Sequence, residues 1–511
     1  MKSIGFCFSL LLALPATAEP AFSLAVGTDA WLTGLPVQSS EVAQQSVEKY
    51  SEDILRNPKQ AQAYLARGRA YVRLEQYPQA LVDYSTALDL EPRFAQAWLE
   101  RGELLEKLGN SLPAIRDFSQ ALAVDPGMAE AYRLRGNSYQ SLKQFRQALS
   151  DFDQLVRLAP GDARGHYLRG IAYQQLGLAP EAIQAYSRAV GLDPEDGLAY
   201  VGRADAYCSL REYQLAFADF TKAHGLDAGR LSSVIDDRLE QLEYLQQSQQ
   251  ELETLIQTSS STSTALSILS DRATVYLALD LEAYAIAEYS RAVVLDPASI
   301  GSILDRGMIY ATLYQYEPAI ADYSAVLRLD PDSALTYSLR GMAYLNLGQF
   351  QRAIADFDRA IGLEPQDSWH YASRGWAYAA QRQYPQALAD FDKVISLDTH
   401  DIAWHYDQRA RAHLAMGKLG QALEDARKSY GLEELPETLA QLAEINQLLK
   451  NYRLAVEQSS KALESLPGSA EAYKTRGDAH HSLGQGELAR ADWRLACVLG
   501  LDSACALAKG P

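Results

Sequence analysis

Only four of the 511 residues are cysteine and five are methionine, and histidine occurs only eight times. So little cysteine excludes a small scaffold built from disulfides. After the first twenty positions there is no run of about 18 apolar residues, so no transmembrane segment is expected. Basic residues are also in the minority. There are 47 Lys and Arg against 65 Asp and Glu, a net charge of -18. A surface of that sign repels a nucleic-acid backbone or an anionic lipid headgroup, and neither is expected as the main partner. The patterns G-x-x-x-x-G-K-[ST] and G-x-S-x-G are missing, which removes a phosphate loop and a nucleophile elbow.

The first residues carry an export pattern. Lys2 supplies the positive charge, Ile4 to Leu14 the apolar stretch, and Ala16-Thr17-Ala18 a small-residue cleavage site. Residues 1–18 are therefore expected to be a signal peptide, and the mature chain to be periplasmic or secreted. No cysteine follows the cut, so a lipid anchor of the bacterial lipoprotein kind is not expected. Cys7 is lost with the signal and Cys208 stands alone, while Cys497 and Cys505 lie close in sequence. On one unbroken helix these two would be about 12 Å apart along the axis, beyond the roughly 7 Å a disulfide tolerates. Gly500 between them is expected to end the helix and let Cys505 fold back, which predicts a disulfide; two buried free thiols are the alternative.

What is abundant is repetition. Arg-Gly recurs at Arg67-Gly68, Arg101-Gly102, Arg135-Gly136 and Arg169-Gly170, a step of 34 residues. After Arg203-Ala204 it resumes with Arg272-Ala273, Arg306-Gly307, Arg340-Gly341 and Arg374-Gly375. Around the first pair stand Tyr64, Gly68 and Tyr71, then Ala80, Tyr84, Ala87 and Pro92. A later unit repeats this as Tyr337, Gly341, Tyr344, Ala353, Phe357, Ala360 and Pro365. Each triplet is spaced for one face of a helix, and the small residues let two helices approach while the aromatics fill the space beside them. One such hairpin cannot cover its own apolar face, so neighbouring units must stack.

These residues resemble the tetratricopeptide repeat (TPR), and the resemblance covers over three-quarters of the chain. It implies an all-α fold, an α-solenoid in which stacked helical hairpins form a right-handed superhelix. In this register residues 19–60 are an N-terminal segment with a capping helix. Residues 61–228 hold five repeats, 265–501 hold seven, and 502–511 form a C-terminal cap. Between the arrays, residues 229–264 read as a degenerate helical pair followed by a Ser/Thr loop, serving either as a hinge or as a surface loop on a continuous solenoid. The stretch Ala496 to Leu507, with its paired cysteines, is similar to the Sel1-like repeats of exported bacterial proteins. In those, cysteines at this spacing bridge neighbouring helices.

Sixteen residues after most repeat arginines comes an acid: Asp83, Asp117, Asp151, Asp219, Glu288, Asp322, Asp356, Asp390, Asp425 and Asp492. Where arginine is replaced by Leu442, the acid is replaced by Gln458. Joint loss implies that the two meet, and pairs such as Arg340 with Asp356 and Arg374 with Asp390 are expected to fix helix registry rather than to catalyse. Arg169 breaks the rule, because Ala185 stands at its partner position.

In proteins of the resembled family the first helix of each unit lines the concave groove that receives a peptide or partner helix. The residue two after each repeat arginine should face it. That series runs Arg69, Glu103, Asn137, Ile171 and Asp205, then Thr274, Met308, Met342, Trp376 and Arg411. Apolar companions in the second array are Leu304, Leu335, Leu345, Trp369 and Trp404. Met and Trp suit recognition surfaces, so these eight side chains are candidate groove residues; the alternative is that they pack between adjacent units. Cofactors, metal sites and catalytic residues are not expected. His400, His405 and His413 do not share one helix face, His480 and His481 point apart, and Cys208 has no histidine at helical distance. The expected role is a non-enzymatic protein–protein interaction scaffold of the cell envelope, or alternatively a chaperone or carrier for exported or unfolded chains. Its partners would be other proteins or peptides.

Overall fold

The structure, a computed structural model, describes residues 40–226, 232–258, 262–279, 281–397 and 402–509. The expected signal peptide, His400 and Asp401 lie outside the described residues. Among the described residues all regular structure is helical. The chain opens with α1 (Ser40–Arg56). Five hairpins follow: α2 (Ala61–Arg73) with α3 (Tyr77–Leu90), α4 (Ala95–Lys107) with α5 (Ser111–Val124), α6 (Ala129–Ser141) with α7 (Phe145–Leu158), α8 (Ala163–Gln175) with α9 (Ala179–Leu192), and α10 (Gly197–Ser209) with α11 (Tyr213–Leu226). Next come α12 (Ser232–Thr258), α13 (Thr262–Ala278) and α14 (Glu282–Leu295). Three hairpins then pair α15 (Ile300–Thr312) with α16 (Tyr316–Leu329), α17 (Ala334–Asn346) with α18 (Phe350–Leu363), and α19 (Ser368–Ala380) with α20 (Tyr384–Leu397). The last three are α21 (Ile402–Ala415) with α22 (Leu419–Leu432), α23 (Pro436–Leu448) with α24 (Tyr452–Ser465), and α25 (Ala470–Ser482) with α26 (Gly486–Val498), closed by α27 (Asp502–Lys509). The fold is an all-α solenoid of stacked hairpins.

The small-residue keys act as the spacing implies. A Cβ on Gly68 would stand 2.5 Å from the Tyr84 ring, and one on Gly341 2.7 Å from the Phe357 ring. Both rings are buried to completion or nearly so. Only a glycine or similarly small residue on the first helix therefore admits the aromatic of the second. Each hairpin turns through a residue in the left-handed region, supplied by glycine at Gly109 (φ 78°) but by Glu75 (φ 57°) in the first hairpin.

Residues 229–264 depart from expectation. In place of a helical pair, Ser232 to Thr258 form one 27-residue helix. No glycine or proline interrupts the leucine stripe, so nothing forces a turn. The Ser/Thr run is not wholly a loop either, since Thr262 to Thr264 already begin α13.

By internal contacts the chain divides into two compact units. One contains residues 286–397 with residues 40–47, including the hairpins α15–α16, α17–α18 and α19–α20. The other contains residues 48–285 and 402–509. Within this second unit the first two hairpins and the last share one core. Leu99, Leu104, Phe118 and Leu122 cluster with Tyr473, Trp493, Leu495 and Leu499. Asn110 Nδ2 donates to the Gly468 carbonyl at 3.2 Å, and Gly500 lies so close to Pro113 that a Cβ would meet its Cγ at 2.9 Å. The C-terminal helices thus end on the first array and not in solvent.

Candidate partner-binding face

The arginine–acid pairs set the hairpins that carry this face. Arg340 donates from Nε and Nη2 to both oxygens of Asp356, each at 2.8 Å, and Arg374 does the same to Asp390 at 2.9 and 2.6 Å. The same two-pronged bond joins Arg67 to Asp83, Arg101 to Asp117, Arg203 to Asp219 and Arg476 to Asp492. Both partners belong to one hairpin, one on each helix. The third nitrogen reaches the other way: Arg340 Nη1 donates to Ser324 Oγ at 3.0 Å, and Arg374 Nη1 to Asp358 at 2.6 Å, sixteen residues upstream in each case. One guanidinium therefore fixes two helices of its own unit and the second helix of the unit before it. Donating hydrogen bonds to Asp83 and Asp356 raises the pKa of Arg67 and Arg340, holding the charge in place. Burial lifts the carboxyls of Asp83 and Asp390 above the usual range, and their arginines oppose that. Arg169, without an acid downstream, turns upstream to Asp153 at 3.4 Å. At the unit lacking arginine, Gln458 Oε1 accepts from Asn446 Nδ2 at 2.9 Å.

On this frame α15, α17 and α19 present the apolar residues. Leu304, Met308, Leu335 and Trp369 are half-buried and pack on Ala319, Tyr323, Leu339 and Ala343. Leu345, Trp369 and Trp376 pack on Met342, Ala353, Phe357 and Ala377. Trp369 belongs to both clusters and makes the two continuous. Two expected members do not fit. Met342 is only 8% exposed, because its flexible chain tucks against Phe357 and Ala377, so it is core. Trp404 belongs to the other unit, where it is 36% exposed with its ring edge-on to His405 at 5.2 Å.

The first array treats the same position differently. Arg69 Nε donates to Glu100 at 2.7 Å and so ties α2 to α4. Asp205 accepts from Arg238 Nη1 at 2.7 Å, which fastens α12 against α10. Glu103 is open to solvent, yet the protein crowded around it, and then Glu130 and Glu100, push its carboxyl up.

Cys208 on α10 is fully buried, and burial pushes its thiol far above the usual range. Such a thiol is inert. Cys497 and Cys505 form a disulfide with Cα atoms 4.8 Å apart; Gly500 (φ 102°) makes the turn between α26 and α27. His413 Nε2 stands 3.6 Å from Asp425, and His480 Nε2 3.8 Å from Asp492, so these rings serve separate acids. No helix among the described residues is long and apolar enough to cross a membrane.

Comparison with protein families matches residues 108–163, 133–197 and 167–230 to one tetratricopeptide repeat model. A second, described as TPR repeat, covers 68–109 and 307–348, and a third tetratricopeptide repeat model covers 334–367. No curated protein matches the chain. Among solved structures, similar chains include MamA from Desulfovibrio magneticus RS-1, at 26% identity, covering 32% of this chain and 94% of that one with a TM-score of 0.32. The Cut9–Hcn1 hetero-tetramer of the APC/C matches at 15% identity over 92% and 99%, TM-score 0.37. PilW, a type IV pilus biogenesis factor, matches at 23% identity over 40% and 96%, TM-score 0.37.

Proposed function

We propose, from the premise that this chain is a tetratricopeptide-repeat protein, that it is an interaction scaffold receiving a partner peptide or helix on the apolar face of α15, α17 and α19. The observation that carries the reading is the unbroken run from Leu304 through Trp369 to Trp376. These large side chains lie half-buried, while alanines and the second-helix aromatics Tyr323 and Phe357 close the hairpin cores beneath them. Continuous apolar surface of this kind marks interaction sites, and Trp is the residue most enriched at their energetic centres. The chain works in the cell envelope after export and catalyses no reaction. The cystine at Cys497 and Cys505 agrees with an oxidising compartment and with a Sel1-like end cap.

The test is affinity purification of the full chain from its native envelope fraction, alongside Met308→Glu and Trp376→Ala variants shown to be helical by circular dichroism. The expected result is a stoichiometric protein partner with the wild type that both variants lose. A partner retained equally by all three would contradict the placement. A wild type that suppresses aggregation of unrelated unfolded proteins, with no stoichiometric partner, would favour a chaperone.

A further inference from the structure

At the junction of α18 and α19, Glu364, Asp367 and His370 each aim one ligand atom at the same small space, with those atoms all within 4.8 Å of one another. His370 is 1% exposed. Its Nδ1 lies 2.8 Å from Ser338 Oγ, while its buried Nε2 has no hydrogen-bond partner. Leaving a buried imidazole nitrogen unsatisfied is costly and calls for a cause. Nε2 faces Glu364 Oε2 at 3.6 Å and Asp367 Oδ2 at 3.8 Å. Those separations are too long for hydrogen bonds, which close at about 2.7–3.2 Å. They are close to the spacing of two ligands on one ion, which at metal–ligand lengths of about 2.1 Å comes to roughly 3.0–3.4 Å.

We propose that Glu364, Asp367 and His370 bind a divalent transition-metal ion. One imidazole and two carboxylates suit zinc and its first-row neighbours, and their two negative charges neutralise it. If Nδ1–H donates to Ser338 Oγ, the lone pair of Nε2 points at the ion, the outer-shell arrangement that orients ligating histidines. Asp367 divides its oxygens: Oδ1 accepts the Trp369 backbone N–H at 2.8 Å as the cap of α19, and Oδ2 is turned to the site. The Glu364 and Asp367 side chains remain 60% and 42% exposed, so the ion can enter and keep water ligands.

Neighbouring hairpins supply an internal control. The position four residues before the repeat arginine holds Ala63, Ala97, Ala131, Ala199 or Ala472 in five other hairpins, and Thr336 and His405 in the two next to this one in sequence, where this hairpin holds His370. The α9–α10 junction even repeats the two acids as Asp193 and Asp196, but Ala199 stands in place of the imidazole. Histidine here is thus an addition to a framework that manages without it. The bound ion would tie the end of α18 to the start of α19, directly beside Trp369.

The test uses the full-length, tag-free chain stripped with EDTA and titrated with zinc chloride by calorimetry, with cobalt(II) absorption as a second readout. Glu364→Gln alters an exposed side chain, Asp367→Asn can keep the helix cap, and His370→Ala restores the residue that other hairpins carry. The expected result is one zinc ion per chain, with affinity reduced at least about tenfold in each variant. Zinc binding that is absent from the wild type, or that is equal in wild type and all three variants, overturns the proposal.

Discussion

The hairpins of the first array and those between Ile300 and Leu397 share one internal design and differ in how neighbouring first helices meet. Both lock their two helices with a two-pronged arginine–aspartate bond, as Arg67–Asp83 and Arg340–Asp356 show. At the position two residues past that arginine, the first array places polar or charged side chains in four of five units, with Ile171 the exception and Arg69 bonded to Glu100. The later hairpins place Met308, Met342 and Trp376 on their neighbours' apolar clusters. The lesson is that the lock inside each hairpin frees the joint between hairpins to vary.

The largest effect should come from breaking the lock. Arg340→Leu leaves Asp356 buried without its cation, a loss of about 3–5 kcal/mol by analogy with other buried pairs broken on one side. Arg169→Leu, where the acid downstream is already missing, should cost far less. Chemical denaturation of both variants checks this, and equal losses would show that the lock is not the common element.

Exchanging the joints comes next. Met308→Arg puts a charge against Tyr323 and Leu339 and should cost about 1–3 kcal/mol, the usual penalty for an unpaired polar group brought into apolar packing. Arg69→Met removes an ion pair whose arginine is 42% exposed, so less than about 1 kcal/mol is expected. Thermal melts of the two variants measure the asymmetry.

The smallest effect concerns pH. Since the folded protein raises the Glu103 carboxyl, ionising it opposes folding; the destabilisation is absent below the unfolded value and complete above the folded one. Glu103→Gln should therefore melt slightly higher than wild type at pH 7 and lose that advantage near pH 4. A gain that persists at the lower pH would point to a packing effect.

The hairpins were legible because their signal is local: Tyr64, Gly68 and Tyr71 repeat every 34 residues, and the fixed sixteen-residue spacing exposes the Arg–Asp bonds. The second reach of the guanidinium, from Arg340 to Ser324, was also written in the spacing, since Ser85, Ser119, Ser187 and Ser290 likewise stand sixteen residues before their arginines, but only the downstream acids were paired with them. The shared core of Phe118 with Trp493 was hidden because nothing in a repeat states which distant unit it will meet. Met342 misled because a methionine at a surface-facing spacing can fold back into a core. The Glu364–Asp367–His370 group escaped a search for histidines close together in sequence, because it uses one histidine and the acids of a turn.

The central claim is that the apolar joints, and not the charged ones, meet the partner. Site-specific photo-crosslinking in the native envelope tests it most directly, with a benzophenone amino acid placed at Met308 in one chain and at Arg69 in another. The account predicts a discrete protein adduct from position 308 and none from position 69. Adducts from position 69 alone, or the same adduct from both, would contradict it.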